Sequence, residues 1–156
     1  MYLYRCVYYS RNAIKKLGLP VSAEIKSILA AGARNNPAAG LTGALVFNEQ
    51  YFAQVIEGDR HNVSRLLWRI AADPRQEDMV IMSADSIRGR SFDDWSMGYV
   101  GHSEEMETLY LKYGIAIGFD PGRMGPESLT GLVQELVMLG GHGVHHHAMA
   151  ASPATA

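Results

Sequence analysis

Several polar residues in this sequence fall where a protein interior is expected. Gln54 stands between Phe52 and Ile56, on the face that strand alternation turns inward. A buried amide left without partners costs roughly 1–3 kcal/mol, so something must satisfy it. Its side chain carries both donors and an acceptor, which suits it to hydrogen-bond exchange with a neighbour. Tyr8 and Ser10 add hydroxyls on one face of an earlier apolar run, and Asn35–Asn36 add two amides at the end of a helical stretch. Taken singly, each also has a structural explanation: a satisfied core amide, a phenol tied to backbone, or an asparagine tolerated at a helix end. Cys6 shares the Tyr8 face and is read as a buried structural cysteine rather than a reactive thiol.

The elements that must position these residues follow from periodicity. Residues 2–10 read as a strand with Tyr2, Tyr4, Cys6, Tyr8 and Ser10 on one face and Leu3, Val7 and Tyr9 on the other. Ser22 is the expected N-cap of a helix carrying Ile25, Ile28 and Leu29, which Asn36–Pro37 should stop. Strands are expected at 41–47 and 51–57, joined through Asn48-Glu49-Gln50 as an antiparallel hairpin. Asp59 should cap a second helix with Val63, Leu66, Leu67 and Ile70 on its apolar face and Pro74 beyond its end. Two more strands fit 79–84 and 95–100. The order β-α-β-β-α-β-β predicts an α+β, ferredoxin-like sandwich: a five-stranded mixed sheet with two helices on one face. First and third strands are neighbours in such a sheet, which would bring Tyr8 to Gln54. C-terminal helices are expected at 104–113 and 127–139, the second with an apolar stripe of Leu129, Leu132, Val133, Leu136 and Val137. The expected division is a domain at 1–100, a helical extension at 101–140, and a disordered Gly-, His- and Ala-rich tail at 141–156.

Composition bounds the function. The chain has 156 residues, 16 acidic against 14 basic, a net charge of -2, and 47% hydrophobic residues. That suits one domain with a helical appendix and gives no footprint for nucleic acid or an anionic membrane surface. The single cysteine excludes an internal disulfide framework and a cysteine-based zinc site. No apolar run approaches the roughly 18 residues of a membrane span, and the start lacks a signal-peptide layout. A soluble cytoplasmic protein is expected. His142, His145, His146 and His147 could hold a divalent ion in principle, but no metal site is expected from them.

Four ordered motifs change the weight of the polar residues. Tyr8-Tyr9-Ser10, the run from Ala33 through Asn35-Asn36-Pro37 to Gly43, Phe52 to Gly58 around Gln54, and Arg90 to Met97 together resemble the BLUF family of blue-light-sensing flavoproteins. The tail, with Leu111-Lys112-Tyr113-Gly114 and a later apolar helix, is similar to short stand-alone members. The resemblance implies a non-covalently bound flavin between the two helices, flanked by Ile28 and Ile70. It implies that Asn36 and Asn35 meet opposite sides of the ring's polar edge, and that Gln54 lies between Tyr8 and the flavin. Tyr8 and Gln54 would be the photochemical pair: an electron and a proton leave Tyr8, and Gln54 rotates or changes tautomer. Trp95, Ser96 and Met97 on the fifth strand, with Ser10 beside Tyr8, would relay the change.

Arg69 and Asp73 match family positions near the ribityl and phosphate end, although their spacing also suits an ordinary helix salt bridge. Where many members carry an Arg-His pair, this chain has Asp73-Pro74-Arg75-Gln76, so FMN and riboflavin stand beside FAD as expected cofactors. The expected function is therefore a photoreceptor rather than an enzyme. Its expected output is a downstream signalling protein, response-regulator-like or a cyclic-nucleotide enzyme, and a homo-oligomer is expected. Two other readings are a flavin-free ferredoxin-like interaction module and an acylphosphatase-like hydrolase using Arg11 and Asn12. Retention of Tyr8, Gln54 and both asparagines argues against the first, and the lack of a glycine-rich anion cradle argues against the second.

Overall fold

β-Branched and aromatic residues carry the first strand, β1 (Leu3–Asn12), through the middle of the sheet. In the computed structural model, which describes residues 1–101, 103–115 and 118–139, the further elements are α1 (Val21–Ala38), β2 (Thr42–Phe47), β3 (Tyr51–Asp59), α2 (Arg60–Ala71), β4 (Gln76–Ser86), β5 (Trp95–Tyr99), α3 (Glu104–Lys112) and α4 (Pro126–Leu139). Strand order is β4-β1-β3-β2-β5, with β2–β5 parallel and the remaining pairs antiparallel. This is the expected ferredoxin-like mixed sheet. The expected tail at 141–156 and its histidines lie outside the described residues. Among the described residues, no helix is long and apolar enough to cross a membrane.

Alternation divides the sheet into two buried faces. Cys6, Tyr8, Leu45, Phe47, Phe52 and Ile56 pack with Ile25, Ile28 and Leu29 of α1 and Val63, Leu66 and Ile70 of α2. Val7, Ala44, Val46, Ala53 and Val55 point the other way, onto Leu129, Leu132, Val133 and Leu136 of α4. Every residue of β3 from Phe52 to Gly58 is therefore buried, as in a strand covered on both sides.

Most element boundaries fall within one or two residues of expectation, and three differences have a clear physical reason. The cap of α1 is Pro20, not Ser22: its φ of -68° already suits the helix entry, and its carbonyl accepts from Glu24 N at 3.0 Å. The helix also continues through Asn36 and Pro37 to Ala38. The bond forfeited by Pro37 is offset by a well-bonded end, in which Ala39 N donates to the Asn35 and Asn36 carbonyls and Leu41 N to Asn36 O at 2.9 Å. Gly40, at φ +70°, makes that reversal without a Cβ penalty. β4 begins three residues before the expected start, because its polar opening Gln76-Glu77-Asp78 pairs along β1 through register shifts. By contrast, Asp59 caps α2 as expected, accepting from His61 N.

Gly43 fixes the approach of β2 to β3. Its φ is +131°, and a Cβ there would lie 1.9 Å from the Val55 carbonyl oxygen. Gly43→Ala should lose about 3 kcal/mol or more of stability, since neither the backbone angle nor the neighbouring strand can yield cheaply. Chemical denaturation checks this, and an unchanged midpoint would contradict it.

Candidate functional site

Antiparallel pairing of β1 with β3 puts Tyr8 directly opposite Gln54. The row continues to Leu45 of β2 and Met97 of β5, and on the other side to Ile81 of β4. Tyr8 is fully buried and Gln54 is 3% exposed. Gln54 Nε2 donates a hydrogen bond to Tyr8 Oη. Tyr8 Oη in turn donates to Gln76 Oε1 at 2.8 Å, and Ser10 Oγ donates to the same oxygen at 3.0 Å. Burial drives the Tyr8 phenol well above its ordinary range, outweighing its hydrogen bonds with the two amides, so Tyr8 remains protonated. The result is a buried chain of two hydroxyls and two amides, all on the α1–α2 face.

Above this chain, a cleft of about 180 Å³ opens between the two helices. Ile28 and Ala31 of α1 and Leu66 and Ile70 of α2 supply apolar walls, with Gln54, Gln76 and Trp95 also lining it. Asn35, Asn36, Arg69 and Asp73 border the same space. Asn36 is only 3% exposed where it borders the cleft. Trp95 Nε1 is buried without a hydrogen-bond partner among the described residues. Gly32 lets α1 lie close to β5: a Cβ there would be 3.2 Å from Trp95 Nε1 and 3.3 Å from Met97 Sδ.

The expected site residues thus gather, with two qualifications. Trp95 and Met97 both face the helices, but only Trp95 borders the cleft; Met97 lies in the Gln54 row with Leu45 between them. Ser96 points to the opposite face of the sheet, beside Ala44, and donates to Asp94 Oδ1 at 3.4 Å. The Arg69–Asp73 salt bridge that helical spacing suggested does not form. Asp73 pairs instead with Arg75 at 2.7 Å, and Arg75 also reaches Glu24 of α1 at 3.2 Å. Burial works to raise the Asp73 carboxyl, but the hydrogen bonds and charge of Arg75 outweigh it and hold the group below its usual range. Arg75 therefore ties the end of α2 to the start of α1 and closes one end of the cleft.

Other residues resolve plainly. Cys6 is buried, and burial pushes its thiol up to about 11, which makes it unreactive. Arg11 faces Asp78 at 3.5 Å, and Asn12 is engaged with Asn48 O and Ile14 N, so the two form no anion cradle.

Two residues escaped sequence reasoning. Gln76 was visible only as a missing histidine, although a glutamine at the start of a strand flanking Tyr8 is itself a polar core candidate. Glu57 is 0% exposed and accepts from Arg5 Nη2 at 2.6 Å, Ser91 N at 2.9 Å and Phe92 N at 3.1 Å. It anchors the loop that delivers Trp95. The signal for it was that the alternate positions Ala53 and Val55 are apolar as well, which implies that the second face of β3 is buried too.

Comparison with known proteins bears on the same region. The family model described as BLUF, sensors of blue-light using FAD, matches residues 3–98. Photoactivated adenylate cyclase subunit beta of Euglena gracilis is 36% identical over 58 residues, which is 37% of this chain and 7% of that protein. Subunit alpha from the same organism is 34% identical over 62 residues, 40% of this chain and 6% of its own length. The chain therefore spans less than a tenth of these curated relatives. Among solved structures, BlrB, a BLUF protein in its dark state, superposes with a TM-score of 0.66 at 30% identity, covering 96% of each chain. BlsA in its photo-activated state gives a TM-score of 0.72 at 28% identity, covering 85% of this chain and 93% of that one.

Proposed function

The chain belongs to the BLUF family of blue-light sensors using FAD, and from that membership we propose that the α1–α2 cleft holds the flavin ring and that Tyr8 and Gln54 form the switch beneath it. The observation that carries this reading is the buried Tyr8–Gln54 hydrogen bond at the floor of the cleft. The donor set suits a flavin: apolar walls from Ile28 and Ile70 for its faces, and Asn36, Asn35 and Gln54 for its polar edge. Trp95 Nε1, buried without a partner among the described residues, leaves hydrogen-bonding capacity at the cleft that a polar ligand edge can take up. Arg69 and Asp73 at the cleft border would meet the ribityl and phosphate end, and FAD is the first choice, with FMN and riboflavin as alternatives.

Bound flavin supplies blue absorption and, once excited, strong oxidising power. Tyr8 is placed to lose an electron, and because its hydroxyl is fully buried the amides bonded to it are the route by which its proton can leave Oη. Gln54 presents Nε2 to Tyr8 Oη; a half-turn of the amide, or a change of tautomer, presents an acceptor to that hydroxyl instead. Mispairing a buried amide is costly, so two fully bonded arrangements behave as two states with little between them. Leu45 and Met97 lie in the Gln54 row and lead to β5, while Ser96 on the reverse of β5 faces the side covered by α4.

Output to a separate protein fits this arrangement. A cyclic-nucleotide enzyme or a response-regulator-like protein is the proposed partner class, and self-association is the proposed alternative route. Titrating the apoprotein with FAD, FMN and riboflavin, and measuring mass by light scattering in darkness and under blue light, tests the reading. Saturable binding of a flavin is the expected result, with FAD bound at least as well as FMN. Failure to take up any of the three would overturn it.

A further inference from the structure

The phenol of Tyr8 has one proton and two amide neighbours. It lies 2.8 Å from Gln76 Oε1, an atom that can only accept, so the proton is directed there. Oη must then meet Gln54 through a lone pair, and Gln54 must show it Nε2. Gln76 is itself held: it is 6% exposed, and Ser10, 1% exposed, donates to the same Oε1 at 3.0 Å. Were Gln76 to reverse, its Nε2 would donate to Oη, and the phenolic proton would be free to meet Gln54 Oε1. Each orientation of one amide therefore demands the complementary orientation of the other.

We propose that Gln76 is a second switching amide, a positioning residue that sets the dark orientation of Gln54 and reverses with it in light. The inference rests on the reading of Tyr8 and Gln54 as the switch. Nothing is consumed in the step: one hydroxyl proton changes partner, and two amides exchange donor for acceptor. The exchange also changes what Ser10 meets, since a reversed Gln76 would offer Ser10 Oγ a donor in place of an acceptor. Gln76 opens β4, pairs with Asn12 of β1, and donates its own N–H to Asp73 O at 3.1 Å. β4 is an edge strand with Val80 and Ile81 exposed, and its pairing with β1 is already irregular near Tyr8. A reversal at Gln76 would thus have a path to the surface that does not pass through β5.

The test has one arm without flavin and one with it. In the flavin-free protein, side-chain NMR of nitrogen-labelled glutamine follows four residues: Gln50, Gln54, Gln76 and Gln134. Gln76→Met should shift the Gln54 side-chain resonances, and Ser10→Ala should shift those of both Gln54 and Gln76. In the flavin-loaded protein, light-minus-dark infrared spectra with carbon-labelled glutamine should show two glutamine carbonyls changing in the wild type and one in Gln76→Met. Dark recovery in Gln76→Met should change about threefold to tenfold, the scale of one buried hydrogen bond. Gln76→His, which restores an acceptor and a donor, should bring recovery back toward the wild type. A single changing carbonyl in the wild type, or unmoved Gln54 resonances in Gln76→Met, would overturn the proposal. If the protein takes up no flavin, the reading of the switch fails by itself, and the flavin-free arm still decides whether Gln76 orients Gln54.

Discussion

Tyr8→Phe should still bind flavin and should lose the light-induced spectral shift completely. Phenylalanine keeps the ring that packs among Ile14, Phe52 and Ile56, so the sheet and the cleft above it persist. It removes the hydroxyl that bridges Gln54 and Gln76. Gln54 Nε2 and Gln76 Oε1 each lose a buried partner, so stability should fall by about 1–3 kcal/mol, well short of unfolding. Absorption spectroscopy under blue light, paired with a denaturant titration, separates the two effects. A Tyr8→Phe protein that photocycled like the wild type would remove Tyr8 from the switch.

Glu57→Leu should be the most destabilising single polar substitution near the site. Its carboxylate has no exposure and joins β1, β2 and the 90–92 loop: Arg5 meets it through Nε at 2.9 Å and Nη2 at 2.6 Å, and Thr42 Oγ1 at 3.2 Å. Ser91 N and Phe92 N complete its coordination. Removing one partner of such a pair leaves the others desolvated, a loss of about 3–5 kcal/mol. Flavin affinity should fall as well, because the loop held by Glu57 feeds directly into Trp95. Denaturation midpoint and flavin titration read both effects. Glu57→Gln keeps the shape and some of these bonds and should lose less. A Glu57→Leu protein of unchanged stability would show that the anchor is dispensable.

Much of this arrangement is legible in the sequence. The order of elements followed from periodicity, and the neighbouring of first and third strands in that topology already placed Tyr8 near Gln54. Helix faces are read from Ile25, Ile28 and Leu29 and from Val63, Leu66, Leu67 and Ile70; all are buried except Leu67, which is half-buried. What periodicity could not show was competition between local and tertiary terms. Pro37 should have ended α1 one turn earlier, but the carbonyls of Asn35 and Asn36 are satisfied by the reversal at Ala39 to Leu41, and the helix runs on. Asp73 had two arginines within reach along the chain. The turn after α2 gives it to Arg75, whose backbone N–H also bonds the same carboxylate at 3.0 Å. Gln76 opens a polar stretch that reads as loop, and only the pairing of β4 with β1 turns its side chain under Tyr8. The depth of Glu57 depended on α4 covering the second face, a tertiary contact made by residues 129–136 far along the chain.

The account is tested most directly by the absorption spectrum of the purified, flavin-loaded protein before, during and after blue illumination. It predicts a flavin band that moves to longer wavelength in light and returns in darkness. A spectrum that does not move, or that bleaches without recovery, would contradict it.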